Sequence, residues 1–290
     1  MKELYLNSLA SRGLSTRTGE IYASGIDKLQ EIVNKPYEQV TKTDLLKFAS
    51  ELSSRYSQSS VNRFLSGVKS YYHFLAEIGE IPEDPATILK LGKVQQTRIE
   101  VLESDELTKV LNRLPETSTE LRDTAIFATF IYTGMRCGEL RNLKVTNVDL
   151  EKSRISIEKG KTGFRLVPIH SDLSPFLERY MDEFYKLELD MGIHSTEDFL
   201  FKTRGGRQMQ ECDVCVLLKS LAKKSNCTEK TVALIRPHLL RHSSATLYIQ
   251  RNVSLLAVQQ LLGHSSVKMT ERYLHMGTDY VQESINNTKI

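Results

Sequence analysis

The sequence predicts a mainly helical α+β protein of two domains, the second of which carries one small β-hairpin. Three observations predict it. Apolar residues recur at the 3.6-residue helical period, most clearly at Val61, Phe64, Leu65, Val68, Tyr71, Tyr72 and Leu75. Only two short stretches, Arg154 to Glu158 and Phe164 to Ile169, alternate as strands do, and they flank a Gly-Lys-Thr-Gly turn. A length of 290 residues suffices for two cores, and a polar stretch without periodicity lies between the two helical regions.

Residues 1–92 read as the first domain and as helix throughout. Leu4, Leu6 and Leu9 begin a helix that Gly13 breaks. A second spans about Thr16 to Val33 and ends near Pro36. Thr41 is placed to cap a third over Asp44 to Leu52, because its short side-chain oxygen can accept from an amide of the first turn. A fourth runs over residues 59–78, with Gly79 as its stop. Pro82 and Pro85 then interrupt helix formation, and residues 93–100 form a polar linker. The second domain covers residues 101–290. Ser104 is expected to cap a helix from Asp105 to Arg113, and the nearly continuous apolar run Leu121 to Tyr132 is a central buried helix closed by Gly134. After the strand pair come helices at about 172–191, 209–224, 237–251, 254–262, 267–275 and 278–288. Pro237 suits the first turn of its helix, where no amide hydrogen is needed.

Hydrophobic content of 40% and charged content of 26% are ordinary for a globular protein in water. No apolar run reaches the ~18 residues of a membrane helix, and the N-terminus lacks a signal peptide's apolar core. A cytoplasmic protein with no membrane partner is therefore expected. The net charge is only +3, so composition does not announce a nucleic-acid binder, and such a role must rest on where cations cluster. Arg63 and Lys69 on the fourth helix, and Arg204 and Arg207 around Gly205-Gly206, are weaker DNA-binding candidates; charged helix faces and basic loops are most often merely solvated. Cys137, Cys212, Cys215 and Cys227 include one Cys-x-x-Cys. No second Cys or His pair stands at zinc-finger spacing, so these read as reduced thiols packed in a core.

The chemistry gathers in short motifs. Thr133-Gly134-Met135-Arg136-Cys137-Gly138-Glu139-Leu140 puts Arg136 just beyond a helix-ending glycine, with Glu139 able to orient it from three residues on. Arg236-Pro237-His238-Leu239-Leu240-Arg241-His242 places His238 and Arg241 three apart, facing one way, while His242 is taken as structural. Leu262-Gly263-His264-Ser265-Ser266 sets His264 between two helices, and Thr270-Glu271-Arg272-Tyr273 sets a phenol nine residues beyond it. Taken singly, such a Tyr is usually packing, an Arg surface and a His a satisfied polar group. In this combination they suit a phosphodiester. That bond yields only to positive charge on its non-bridging oxygens, a nucleophile, and an acid for the leaving oxygen. Arg136 and Arg241 supply the first, since a guanidinium donates two parallel hydrogen bonds and stays protonated. His238 and His264 can move or donate protons near pH 7. A phenol of pKa ~10 is inert until cations or a base help it ionise, and Tyr273 stands in such company. No Asp/Glu/His set has metal-ligand spacing, so neither a metal nor another cofactor is expected.

The order Arg…Lys…His-x-x-Arg…His…Tyr resembles the tyrosine recombinases, the phage-integrase family, and within it the Xer type, including the archaeal form. The resemblance covers nearly the whole chain; Ser11 to Thr16 and Ser60 to Ser66 look like the family's core-binding domain. It implies a C-shaped clamp of core-binding and catalytic domains around duplex DNA, with four protomers on two recombination sites. Tyr273 would attack the scissile phosphate, leaving a 3′-phosphotyrosine and a free 5′ hydroxyl. Arg136, Arg241 and His264 would bind the phosphate and His238 would handle the tyrosine proton. A 5′ hydroxyl from the partner duplex then reverses the step, so neither ATP nor metal is needed. A general-acid lysine is implied in the hairpin turn. Lys161 fits the Lys-Thr-Gly form and is preferred; Lys159 fits if the extra residue of this turn is placed later, and is otherwise a DNA contact. His275 is expected to pack locally or touch DNA, and residues 279–290 to dock on a neighbouring protomer or on their own domain. Chromosome-dimer resolution at a dif-like site is the expected role. The alternatives are a mobile-element integrase, a type IB topoisomerase-like enzyme and a non-catalytic DNA-binding accessory factor.

Overall fold

Capping residues set the helices of the first part of the chain. In the computed structural model, which describes residues 1–94, 100–158, 163–182, 198–203, 205–264, 266 and 268–271, the chain separates into two compact units, Met1–Thr97 and Arg98–Ile290. The first unit begins with α1 (Lys2–Ser11) and α2 (Thr16–Val33), the latter opened by Ser15, whose Oγ accepts from the Thr18 amide at 3.2 Å. Thr41 and Asp44 satisfy each other's backbone amides in a capping box at the head of α3 (Lys42–Arg55). On α4 (Gln58–Glu77) the predicted stripe from Val61 to Leu75 is buried, and it meets Tyr5, Leu45, Phe48 and Leu52 in one core.

The α2–α4 crossing is closer than side chains would allow. A Cβ on Gly67 would lie 2.6 Å from the Tyr22 carbonyl oxygen, and one on Gly25 would lie 2.5 Å from that of Phe64. Both obstacles are backbone and cannot swing away. Gly67→Ala is therefore expected to destabilise this unit by about 1–3 kcal/mol, as overpacking does. The readout is a lower urea midpoint at unchanged slope. An unmoved midpoint would mean that the two helices separate at no cost.

In the second unit, α5 (Ser104–Leu111) starts one residue earlier than expected. Glu103 is the extended flanking residue, so Ser104 is the first helical residue and caps nothing. The apolar run forms α6 (Ser118–Thr133), buried over nearly its whole length and ended by Gly134. Then come α7 (Cys137–Arg141) and a three-stranded antiparallel sheet of β1 (Val148–Asp149), β2 (Arg154–Ile157) and β3 (Arg165–Pro168), in that order. The hairpin was legible from alternation; two-residue β1 is too short to alternate. Ile155 pairs with Val167 and Ile157 with Arg165, and the three buried apolar side chains join the core around α6.

The unit continues with α8 (Ser174–Tyr180), α9 (Glu211–Lys224), α10 (Glu229–Leu234), α11 (Pro237–Gln250), α12 (Leu255–Leu262) and α13 (Lys268–Glu271). The six-residue α10 escaped prediction because it is under two turns long and its capping Thr228 is its main signal. The cysteines need one correction. Cys137 and Cys227 pack against the core, but Cys212 is exposed, because it lies on the outer face of α9. Burial pushes the Cys137 thiol up to about 12, as suits an inert packing group. Among the described residues no helix is long and apolar enough to cross a membrane.

Candidate active site

The turn after α6 fixes the first arginine. Gly134 adopts φ +58°, and a Cβ there would lie 2.4 Å from Leu262 Cδ2, so glycine meets both a backbone and a packing demand. The turn leaves Arg136 as the extended N-cap of α7. Its backbone amide donates to Glu139 Oε2 at 2.8 Å and its Nη1 to Oε1 at 3.0 Å, the contact expected from the spacing. Its Nη2 donates to the Gly263 carbonyl at 3.1 Å. From α11, Arg241 Nη1 donates to the Gly134 carbonyl at 2.6 Å and Nη2 to the Leu262 carbonyl at 2.8 Å.

The two arginines thus grip consecutive carbonyls at the carboxyl end of α12. These are groups the helix leaves without an internal partner, at the negative end of its dipole. Capping them brings Arg136 and Arg241 to the backbone just before His264. Arg241 is 3% exposed, whereas the Arg136 side chain keeps 25% of its surface in solvent.

His264 follows Gly263, which has φ +63°. Its Nδ1 lies 2.7 Å from the hydroxyl of fully buried Thr270 on α13, which fixes the plane of the ring. His238 is exposed near the start of α11, and its ring stands edge-on to His242 with centroids 4.4 Å apart. His242 therefore shares the face of His238, as a separation of four residues, about one helical turn, requires.

Glu139 is the charge hub. Burial would push its carboxyl up, but hydrogen bonds from Arg165 and from the Arg136 backbone, with both guanidinium charges, hold it at about 2. It is ionised at every working pH. Arg165 follows the hairpin turn in sequence, but only the strand register reveals where it points.

Lys159, Lys161, Arg204, Tyr273, His275 and residues 279–290 lie outside the described residues. The remaining DNA-binding candidates differ in availability. Arg63 is exposed beside the Phe64 ring. Lys69 donates to the carbonyls of Ala86 and Leu89, at 3.3 and 2.7 Å, and so holds the single helical turn Pro85–Ile88 within its own unit. Arg207 donates to the Asp213 carboxylate at 2.9 and 3.3 Å with its side chain 58% exposed.

A mainly helical domain with a small sheet, and two arginines drawn to a histidine ahead of a tyrosine-bearing segment, define a class that the comparisons identify. The phage integrase family matches residues 100–279, and the phage integrase N-terminal SAM-like domain matches residues 3–79. The chain belongs to the phage integrase family. It is similar to the tyrosine recombinase XerC of Roseiflexus sp. (strain RS-1), at 32% identity over 284 residues, covering 94% of this chain and 88% of that protein. It is also similar to the tyrosine recombinase XerA of Pyrococcus horikoshii, at 31% identity over 291 residues, covering 99% and 93%. Both agree with the expected Xer resemblance, bacterial and archaeal alike. Among solved structures, the XerH site-specific recombinase bound to its palindromic difH substrate matches with a TM-score of 0.73 at 18% identity, covering 95% of this chain and 81% of that one, a likeness of fold.

Proposed function

We propose that this tyrosine recombinase cuts and rejoins duplex DNA with Tyr273 as nucleophile, without metal or other cofactor. One observation carries the reading: Arg136 and Arg241 converge on the carbonyls of Leu262 and Gly263, directly before His264. Three phosphate-binding groups from distant parts of the chain are held by one helix end. Among the described residues, N–H groups of Arg136 beyond those given to Glu139 and Gly263 have no protein partner, which leaves donors for a non-bridging oxygen.

Tyr273 attacks the phosphorus and gives up its proton to His238, forming the 3′-phosphotyrosine bond as the bond to the 5′ oxygen breaks. Lys161 delivers a proton to that departing oxygen. A 5′ hydroxyl of the partner duplex reverses the step, so the bond energy is kept. The substrate is a pair of duplex recombination sites with four protomers on them. Residues 1–92 act as the core-binding domain, 93–100 as the linker and 101–290 as the catalytic domain. Chromosome-dimer resolution in the cytoplasm is the biological role we propose, in keeping with the similarity to proteins named XerC and XerA.

Sequencing the DNA covalently trapped on the protein in cells tests this and yields the site. Recovery of one recurrent sequence is expected. Relaxation of supercoils without strand exchange would favour a topoisomerase, and binding without adduct an accessory factor. Cleavage is also expected to be indifferent to EDTA, because the arginines occupy the place a divalent ion would take at the phosphate. Loss of cleavage on chelation, restored by magnesium or zinc, would overturn the metal-free mechanism.

A further inference from the structure

We infer that Arg165 is a positioning residue for Arg136, acting through Glu139; the inference rests on the proposed role of Arg136 at the phosphate. Arg165 lies on β3 opposite Ile157, on the same side of the strand as the fully buried Val167. A charge at an inward position is costly unless it is paired and hydrogen-bonded. Its Nη1 and Nη2 donate to Glu139 Oε1 and Oε2 at 2.7 and 2.9 Å, a two-pronged contact with side chains 11% and 3% exposed. Each carboxylate oxygen thus takes one donor from Arg165 and one from Arg136.

The second support of Arg136 is also backed by Arg165. Arg136 Nη2 caps the Gly263 carbonyl, and a Cβ on Gly263 would lie 2.9 Å from Arg165 Cδ and Nε and 3.0 Å from Cζ. The Arg165 side chain thus fills the space beside the residue that Arg136 caps. Both anchors of Arg136 therefore bear on one guanidinium. A buried ion pair is seldom worth more to stability than an apolar pair of the same volume. What it adds is direction: a fork against a carboxylate admits one geometry, and that geometry sets the Arg136 head.

The test measures adduct formation on the duplex recovered by covalent trapping, at saturating DNA and at a temperature where circular dichroism shows each variant folded. Arg165→Met is expected to slow cleavage by about 100-fold, the scale of a catalytic group displaced by about 1 Å. In a Glu139→Gln background the same substitution is expected to cost almost nothing further, because the relay is already cut. Should Arg165→Met not fold, Arg165→Lys keeps the charge but replaces the fork with a single point, and is expected to be slowed part of the way. Wild-type cleavage by a folded Arg165 variant overturns the inference, and so does the full loss repeated in the Glu139→Gln background. Arg136→Lys separates the two levels. If it cleaves at the wild-type rate, the phosphate-binding role of Arg136 fails; if it is slowed while the Arg165 and Glu139 losses simply add, only the relay fails.

Discussion

Tyr273→Phe is expected to abolish the covalent protein–DNA adduct while leaving DNA affinity nearly unchanged. The phenol oxygen is the only nucleophile in the proposed chemistry, and removing it leaves no atom to form the bond to phosphorus. Affinity, by contrast, comes from phosphate contacts spread over the whole DNA-binding surface, and one hydroxyl contributes little to it. A band-shift and a denaturing gel on one labelled duplex read the two quantities separately. Adduct persisting in the Phe variant would move the nucleophile to another residue. The surroundings make the assignment chemically reasonable. A phenol of pKa ~10 needs positive charge nearby to ionise, and the segment that carries it follows α13, whose Thr270 is bonded to His264, the residue just beyond the carbonyls on which both arginines converge.

Lys161→Ala is expected to slow cleavage by roughly 100- to 10,000-fold, the range usual for a general acid. The leaving group identifies the role. A substrate with sulfur in the 5′-bridging position should recover much of that rate, because a thiolate departs without protonation. Lys159→Ala should be milder and should chiefly reduce the salt dependence of binding, as losing a phosphate contact does. If sulfur rescues the Lys159 variant and not the Lys161 variant, the two lysines exchange roles. If it rescues neither, proton donation passes to another group, with His238 first to be tested.

The local grammar of the chain was open to reading from residues alone. The cap at Thr41, the buried stripe of α4, the apolar α6 with its terminal Gly134, and the two longer strands all announce themselves through periods and punctuation a few residues long. The contact between Arg136 and Glu139 falls in the same class, because three residues along a helix start are neighbours wherever the helix goes. The motif order, with Arg136, His238, Arg241, His264 and Tyr273 in sequence, was enough to name the family. Signals failed where an element is shorter than its own period, as in β1 and α10, and where a boundary turns on one residue's backbone angles, as at Ser104.

Only the tertiary structure decided how the site is held. The bonds that do so join residues 127, 107 and 26 positions apart: Arg136 to Gly263, Arg241 to Gly134, and Arg165 to Glu139. No period or spacing encodes such pairs. Arg165 reaches Glu139 because of the register of β3 against β2, and a slip of one residue would turn it outward. Arg136 and Arg241 meet because the carboxyl end of α12 packs on the Gly134 turn and offers unpaired carbonyls there. The sequence by itself nominated residues suited to a phosphodiester, and set Arg136, His238, Arg241 and His264 on or beside the helices where they lie. Packing determined that three of them stand together, since that depends on where helix ends come to rest against one another, a property of the folded core and not of any one stretch of chain.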